Sequence, residues 1–220
     1  MNTTIKATVF LLSSLVFEAC SSPGIVTTWK VPHQGRQQYD KIMTVAVFRD
    51  KDDSLRAEAE DIFVKEIEGL SYQAVPAYAQ FGLKGLAGLD QAETYFKLCH
   101  NGIDAVMTIA LIDDTKETFQ KPGDMYEYPA SHYYNRVWNY QNISISPQND
   151  SAGSDNGRFW EIILFDLNTL EAVCVMQTKS FTHNITGVTI EELGRQAIRK
   201  LHKEKVLTKG RKNFGSLRPF

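Results

Sequence analysis

Two near-continuous apolar runs limit this chain to folds that contain a sheet buried on both faces. The first run spans residues 41–48 and is followed by the charged residues Arg49 and Asp50. The second run spans residues 104–112. A strand covered on both sides carries apolar side chains at successive positions, whereas a strand with one solvated face alternates them with polar ones. The sequence therefore predicts a sheet with buried strands, in an α/β arrangement of either two or three layers.

Helical patterns separate these strands in the first half of the chain. Apolar residues recur at helical spacing from Leu55 to Leu70, and a second strand is predicted at residues 72–79. Asp90 and Glu93 have the spacing of a capping box that opens a helix ending near Cys99. Strands and helices thus alternate up to the second apolar run.

The second half begins with a long insertion and continues with a hairpin and a helix. Residues 121–157 show no sustained periodicity, and connections of this length are usually functional or disordered. Residues 159–167 and 172–181 read as paired strands, and Thr189 with Glu192 predicts the start of a last helix. Its expected buried face consists of Ile190, Leu193, Ala197, Ile198 and Leu201.

Together these elements predict a mixed α/β fold in the order β-α-β-α-β-loop-β-β-α, with three main helices. Alternation in the first half requires crossover connections and parallel strands, so we expect a mostly parallel sheet of about five strands. Residues 39–208 form a single domain in this interpretation, with the insertion at 121–157 and a basic tail at 209–220.

Residues 1–19 have the pattern of a signal peptide. Lys6 precedes an apolar run of eleven residues, 7–17, which would span about 16 Å as a helix and is short of a hydrocarbon core of about 30 Å. Such a run is typical of the apolar region of a secretory signal. An N-terminal helix of a cytosolic protein remains an alternative.

The segment Phe17-Glu18-Ala19-Cys20 resembles the cleavage site of bacterial lipoproteins, with an apolar residue three positions before the cysteine and a small residue directly before it. The resemblance implies that Cys20 becomes the mature N-terminus and carries a diacylglyceryl thioether and an N-linked acyl chain. In the lipoproteins that this segment resembles, an aspartate after the cysteine favours the inner membrane. Ser21 at that position therefore implies an outer-membrane anchor that faces the periplasm. A cleaved secretory peptide with an incidental Cys20 remains open.

Residues 20–38 are then predicted to form a lipidated tether, with a short strand at 25–29. The other cysteines, Cys99 and Cys174, lie in apolar surroundings. They could pair in an oxidising periplasm or remain buried thiols that act as small apolar side chains.

Composition and motifs favour a binding protein over an enzyme. The formal net charge is −2, which argues against a nucleic-acid partner. No nucleophile motif, phosphate loop or histidine ligand spacing indicates catalysis or a cofactor.

A weaker alternative is a metal- or small-ligand-dependent enzyme or sensor that uses carboxylates at strand ends, because Mg²⁺ and Ca²⁺ prefer oxygen ligands. These carboxylates are Asp50, Asp53, Asp113 and Asp114.

The insertion concentrates aromatic residues, which often mark binding interfaces. They are Tyr126, Tyr128, Tyr133, Tyr134, Trp138 and Tyr140. These rings could form a partner surface for an envelope protein or a glycan, or they could fold back and pack on the sheet.

Several short segments resemble a family of bacterial lipoproteins of unknown function, common in Bacteroidota. They are Thr28-Trp29-Lys30, residues 41–47, residues 102–106, Phe165-Asp166-Leu167 and residues 133–138. The strand order is similar to that of periplasmic domains of curli-type secretion lipoproteins and of the N-terminal domain of TolB. The resemblance implies a non-catalytic, lipid-anchored binding or assembly module of the cell envelope, or a structural subunit of an outer-membrane complex.

Overall fold

The computed structural model describes residues 24–31, 38–47, 53–82, 86, 89–113, 157–181 and 185–210. Ten helices and strands lie in these ranges. In chain order they are β1 (Ile25–Lys30), β2 (Lys41–Val47), α1 (Asp53–Glu68), β3 (Gln73–Pro76), α2 (Ala77–Phe81), α3 (Gln91–His100), β4 (Ala105–Asp113), β5 (Arg158–Asp166), β6 (Glu171–Thr178) and α4 (Gly187–Lys203).

The six strands form one mixed sheet in the order β1-β6-β5-β4-β2-β3. β2 runs parallel to β3 and β4, whereas the β4–β5, β5–β6 and β6–β1 pairs are antiparallel. The α/β class is confirmed, but the expectation of a mostly parallel sheet of about five strands is wrong for the described residues. β5 lies directly beside β4 and begins an antiparallel half, and β1, from the segment predicted as tether, adds the sixth strand.

The strand predicted at residues 72–79 is shorter than expected because the chain turns into α2 after Pro76. Proline has no N–H to donate to a ladder, and its fixed φ suits the start of a helix. The pairing of β2 with β3 ends at Thr44↔Pro76. Val45–Val47 therefore extend beyond β3.

One of two predicted helix starts is confirmed, and the other lies at a different residue. The capping box of α3 is confirmed, because the Asp90 side chain accepts from the Glu93 N–H and the Glu93 carboxylate accepts from the Asp90 N–H. α4 begins earlier than expected: its N-cap is Thr186, which forms the box with Thr189. Thr189 is thus the third helical residue rather than the cap.

Helices cover both faces of the sheet. On one face, α1 and α4 lie side by side and share a core that includes Phe63 and Leu193. On the other face, Ala77 of α2 and Leu98 of α3 pack against strand residues such as Val106. All five residues expected on the buried face of α4 are buried. None of the helices in the described part of the chain has the length and apolar run needed to cross a bilayer.

Gly194 sets how closely α4 approaches α1. A Cβ atom at this position would lie 3.1 Å from Cγ2 of Ile62 and 3.5 Å from ring carbons of Phe63. A larger side chain would force the two helices apart, because a packed interior has little room to absorb added volume.

We expect Gly194→Val to lower the free energy of unfolding by about 1–3 kcal/mol through overpacking between α1 and α4. Ala92→Val adds volume at an exposed position of α3 and should change stability by less than about 0.5 kcal/mol. Urea unfolding monitored by circular dichroism measures both. Equal stability of the two variants would contradict the close crossing.

Candidate functional site

The carboxyl ends of β2, β4 and β6 and the amino ends of β1 and β5 lie along one edge of the sheet. We name it the upper edge. The registers place Asp113 opposite Arg158 and Ile25 opposite Thr178. Neighbouring strands lie about 4.8 Å apart, so the start of β1 is about 14 Å from the end of β4 across three ladders.

Backbone hydrogen bonds hold the strand ends at the upper edge together. The Phe181 N–H donates to the Arg158 carbonyl over 2.7 Å, and the Arg158 N–H donates back over 2.8 Å. The Lys179 N–H donates to the Gly24 carbonyl over 3.2 Å, one residue before β1. The Phe181 ring stacks on Trp160 with centroids 6.5 Å apart. Gly24, the residue directly before β1, is thus bonded to the chain just after the end of β6.

The predicted aromatic insertion begins and ends at the same edge. β4 stops at Asp113 and β5 starts at Arg158, and these two residues are register partners. The six aromatic residues of the predicted partner surface, Tyr126, Tyr128, Tyr133, Tyr134, Trp138 and Tyr140, lie outside the described residues, as does Cys20. The topology therefore fixes where the insertion leaves the sheet, and its aromatic role stays a prediction.

The carboxylates predicted at the strand ends are partly described. Asp53 is the first residue of α1, and its exposed carboxylate lies 3.5 Å from Nη1 of Arg56. Asp113 is the last residue of β4, whereas Asp50 and Asp114 lie outside the described residues. Across the described ranges, no three His, Cys, Asp or Glu side chains are grouped so that they could hold a metal ion.

Glu60 is a buried carboxylate that lies outside the sequence-predicted site residues. Glu60 is only 2% exposed. Its Oε1 accepts a hydrogen bond from the Ala46 N–H over 3.0 Å, and its Oε2 accepts one from the Tyr78 N–H over 2.8 Å. Ala46 lies in the part of β2 that extends beyond β3. Glu60 therefore satisfies an N–H that a longer β3 would have paired, and it also receives an N–H from the first turn of α2, whose N-cap Pro76 makes no side-chain cap.

Burial raises the pKa of Glu60 from 4.5 to about 7. The cause is desolvation of the charged form, and the hydrogen bonds from Ala46 and Tyr78 and the charge of Arg56 oppose it. The folded protein therefore keeps a proton on Glu60 in a pH range where the unfolded chain has lost it.

Glu161 and Gln177 form a second buried polar contact, in the antiparallel half of the sheet. They are register partners on β5 and β6, and Gln177 Nε2 donates to Glu161 Oε2 over 2.6 Å. Glu161 is fully buried and Gln177 is 3% exposed. Gln177 Oε1 is buried without a hydrogen-bond partner among the described contacts. The pair lies on the sheet face that Phe159, Ile163 and Val175 otherwise make apolar.

The two described cysteines are free. Cys99 is exposed on α3, contrary to the expectation of a buried thiol, and Cys174 is buried in β6. Burial raises the pKa of the Cys174 thiol to about 12. Cys174 therefore stays protonated at neutral pH and serves as an apolar core residue.

The comparisons with known proteins show limited likeness. No family model matches the sequence, and no curated protein matches it. A single-residue variant of the PelC dodecamer from Paraburkholderia phytofirmans is similar in structure, with 10% identity, 82% of this chain and 98% of that chain covered, and a TM-score of 0.39. Another crystal form of the PelC dodecamer from the same organism gives 10% identity, 82% and 95% coverage, and a TM-score of 0.38.

The raised pKa of Glu60 predicts a fall in stability between pH 4.5 and about 7. Here the folded state binds more protons than the unfolded state, so the free energy of unfolding decreases as pH rises, by at most about 1.4 kcal/mol per pH unit. Below pH 4.5 and above pH 7 this contribution is constant. Urea unfolding from pH 4 to 8 measures the slope.

Glu60→Gln should remove this slope, whereas Glu68→Gln, at an exposed position near the end of the same helix, should retain it. An unchanged slope in Glu60→Gln would show that another group is responsible. Glu60→Ala should lower stability by about 1–3 kcal/mol because it leaves backbone N–H groups without their acceptor.

A double-mutant cycle tests the Glu161–Gln177 contact. Glu161→Leu alone and Gln177→Leu alone each remove one hydrogen-bonding group from the buried side chain that remains, at a cost of about 1–3 kcal/mol. The double variant should be less destabilised than the sum of the two single variants, because it removes both polar groups. Additive effects in urea unfolding would contradict an energetic coupling.

Proposed function

We propose that this protein is a non-catalytic, lipid-anchored module of the cell envelope that binds or assembles with another macromolecule. In this proposal Cys20 carries the acyl chains and the protein lies at the periplasmic face of the outer membrane. The observation that carries the proposal is that β1, a strand of the sheet, begins five positions after Cys20, at Ile25.

This short spacing limits how far the domain can lie from a bilayer. A fully extended chain advances about 3.6 Å per residue, so the Gly24 Cα lies at most about 14 Å from that of Cys20. An acylated Cys20 would therefore hold the upper edge of the sheet next to the lipid headgroups. The chain connecting anchor and sheet is too short to act as a long flexible tether.

An ion-pair network joins the other end of β1 to the helical layer. Lys30 Nζ lies 3.1 Å from Oε2 of Glu204 and donates to its carbonyl over 3.0 Å, and Lys200 Nζ lies 3.4 Å from Oε1 of Glu204. These groups are half-exposed, so each ion pair contributes less than about 1 kcal/mol. The network nevertheless connects the anchored strand to the end of α4.

The described carboxylates support a structural rather than a catalytic use of buried charge. Glu60 receives two backbone N–H groups, and Glu161 accepts from Gln177. Asp53, from the proposed metal alternative, lies beside a guanidinium. We therefore place the binding function on the insertion at 121–157, which leaves the sheet at the upper edge.

A second candidate function is that of a structural subunit in an outer-membrane complex. Among the described strands, β1 lies at the edge of the sheet, with β6 on one side. An edge strand offers unpaired backbone groups to a strand of another chain. The register shift between Ile25 and Thr27 limits such pairing to the later part of β1.

The anchor proposal predicts that Cys20→Ser moves the protein from the membrane fraction to the soluble fraction. Each acyl CH₂ contributes about 0.8 kcal/mol to membrane binding, so loss of all acyl chains abolishes stable association. Cys99→Ser is the matched control and should remain with the membranes. Fractionation and intact-mass analysis of the native protein measure both effects, and an unacylated native mass would overturn the proposal.

A further inference from the structure

We infer that the upper edge contacts the interfacial region of the phospholipid bilayer through Val26 and Val188. This inference rests on the proposed lipid anchor and adds the orientation of the domain. It places the strands upright on the membrane, with β1 and α4 beginning at the lipid and the β5–β6 turn pointing away.

Exposed apolar side chains provide the first observation. In the described part of the chain, four large apolar residues are exposed: Val26 and Val188, at 50% and 69%, and Phe96 and Leu170, at 69% and 39%. Val26 is the second residue of β1, and Val188 is the second residue of α4. Phe96 lies within α3, and Leu170 lies in the β5–β6 turn at the opposite edge.

The packing of α4 places Val188 at the upper edge. Gly187 packs so closely on Glu58, in the second turn of α1, that a Cβ atom there would collide with the carboxylate. α1 follows the carboxyl end of β2, so this contact lies at the upper end of the helical layer. The other end of α4 is joined to Lys30 at the lower end of β1. α4 therefore runs downward from the upper edge.

The anchor reaches this edge before any other surface. Six positions separate Cys20 from Val26, which corresponds to at most about 21 Å of extended chain. Charges of both signs are described near this edge, because Lys179 and Arg158 are accompanied by Asp53 and Glu58. Attraction to anionic lipid therefore does not drive the contact, and we expect it to depend little on salt.

Valine side chains can enter the interfacial region without a cost in buried charge. The contact is small beside three acyl chains, so it orients the domain and contributes little to membrane affinity. The partner is thus a phospholipid surface rather than a protein, and the apolar residues away from this edge serve as internal controls.

Fluorescence of single labelled cysteines tests the orientation. Full-length acylated protein with Cys99→Ser receives Val26→Cys, Val188→Cys, Phe96→Cys or Leu170→Cys, each labelled with the environment-sensitive fluorophore NBD. The proteins are reconstituted in vesicles of phosphatidylethanolamine and phosphatidylglycerol, and iodide serves as an aqueous quencher. Cys174 is buried and does not react.

We expect a blue shift and quenching that is lower by about twofold or more at positions 26 and 188 than at 96 and 170, because interfacial side chains lie within the headgroup region. The difference should persist at high salt. Equal quenching at all four positions of an acylated protein, or protection of 96 or 170 instead, would overturn the orientation and leave the anchor proposal intact. An unacylated mass would overturn the anchor, and the orientation with it.

Discussion

The antiparallel ladder between β4 and β5 is the constraint on which the arrangement depends. It runs without a register shift from Ala105↔Asp166 to Asp113↔Arg158. It joins a parallel half, built by crossover connections, to an antiparallel half, built by hairpin-like reversals. Because the ladder reverses the chain, the insertion after Asp113 must return to the edge from which it left. The same reversal, repeated through β6, brings the start of β1 to that edge as well.

A buried carboxylate, that of Glu60, completes the hydrogen bonding of this sheet where β2 extends beyond β3. β3 ends at a proline, so the N–H of Ala46 has no partner in β3 and donates to the Glu60 carboxylate instead. The energetic consequence is the raised pKa of Glu60, since desolvation outweighs the two hydrogen bonds. A group held in this way links the sheet to α2 but leaves neither carboxylate oxygen directed at solvent. This is the arrangement of a structural residue, although a raised carboxylate pKa alone often marks a catalytic one.

Local sequence patterns are sufficient to predict most helices and strands, but they do not predict how the strands pair. The α3 capping box and the buried face of α4 follow from residue spacing, because a helix needs interactions within a few positions. The direction of β5 depends on its pairing with β4, whose register partners are 45 to 61 positions away. A local periodicity carries no information about such a distant partner. Glu60 had a local signal, since it lies on the helical face of Phe63 and Ile67. Glu161 had one too, as a charge within the apolar run of β5. Neither signal identifies the group that donates a hydrogen bond to the carboxylate, because only the fold brings that group close.

The short connection before β1 has a further consequence for assembly. With a long tether, every surface of the domain could approach the bilayer, and exposed residues would say nothing about orientation. With Gly24 bonded to Lys179, an acyl group on Cys20, as proposed above, would lie within about 14 Å of the sheet. The six residues of β1 would then rise about 20 Å from the lipid, with the outer edge of the strand facing sideways, parallel to the membrane. A partner that pairs with this edge would stand beside the domain on the same bilayer, whereas a partner of the insertion would meet it at the lipid surface.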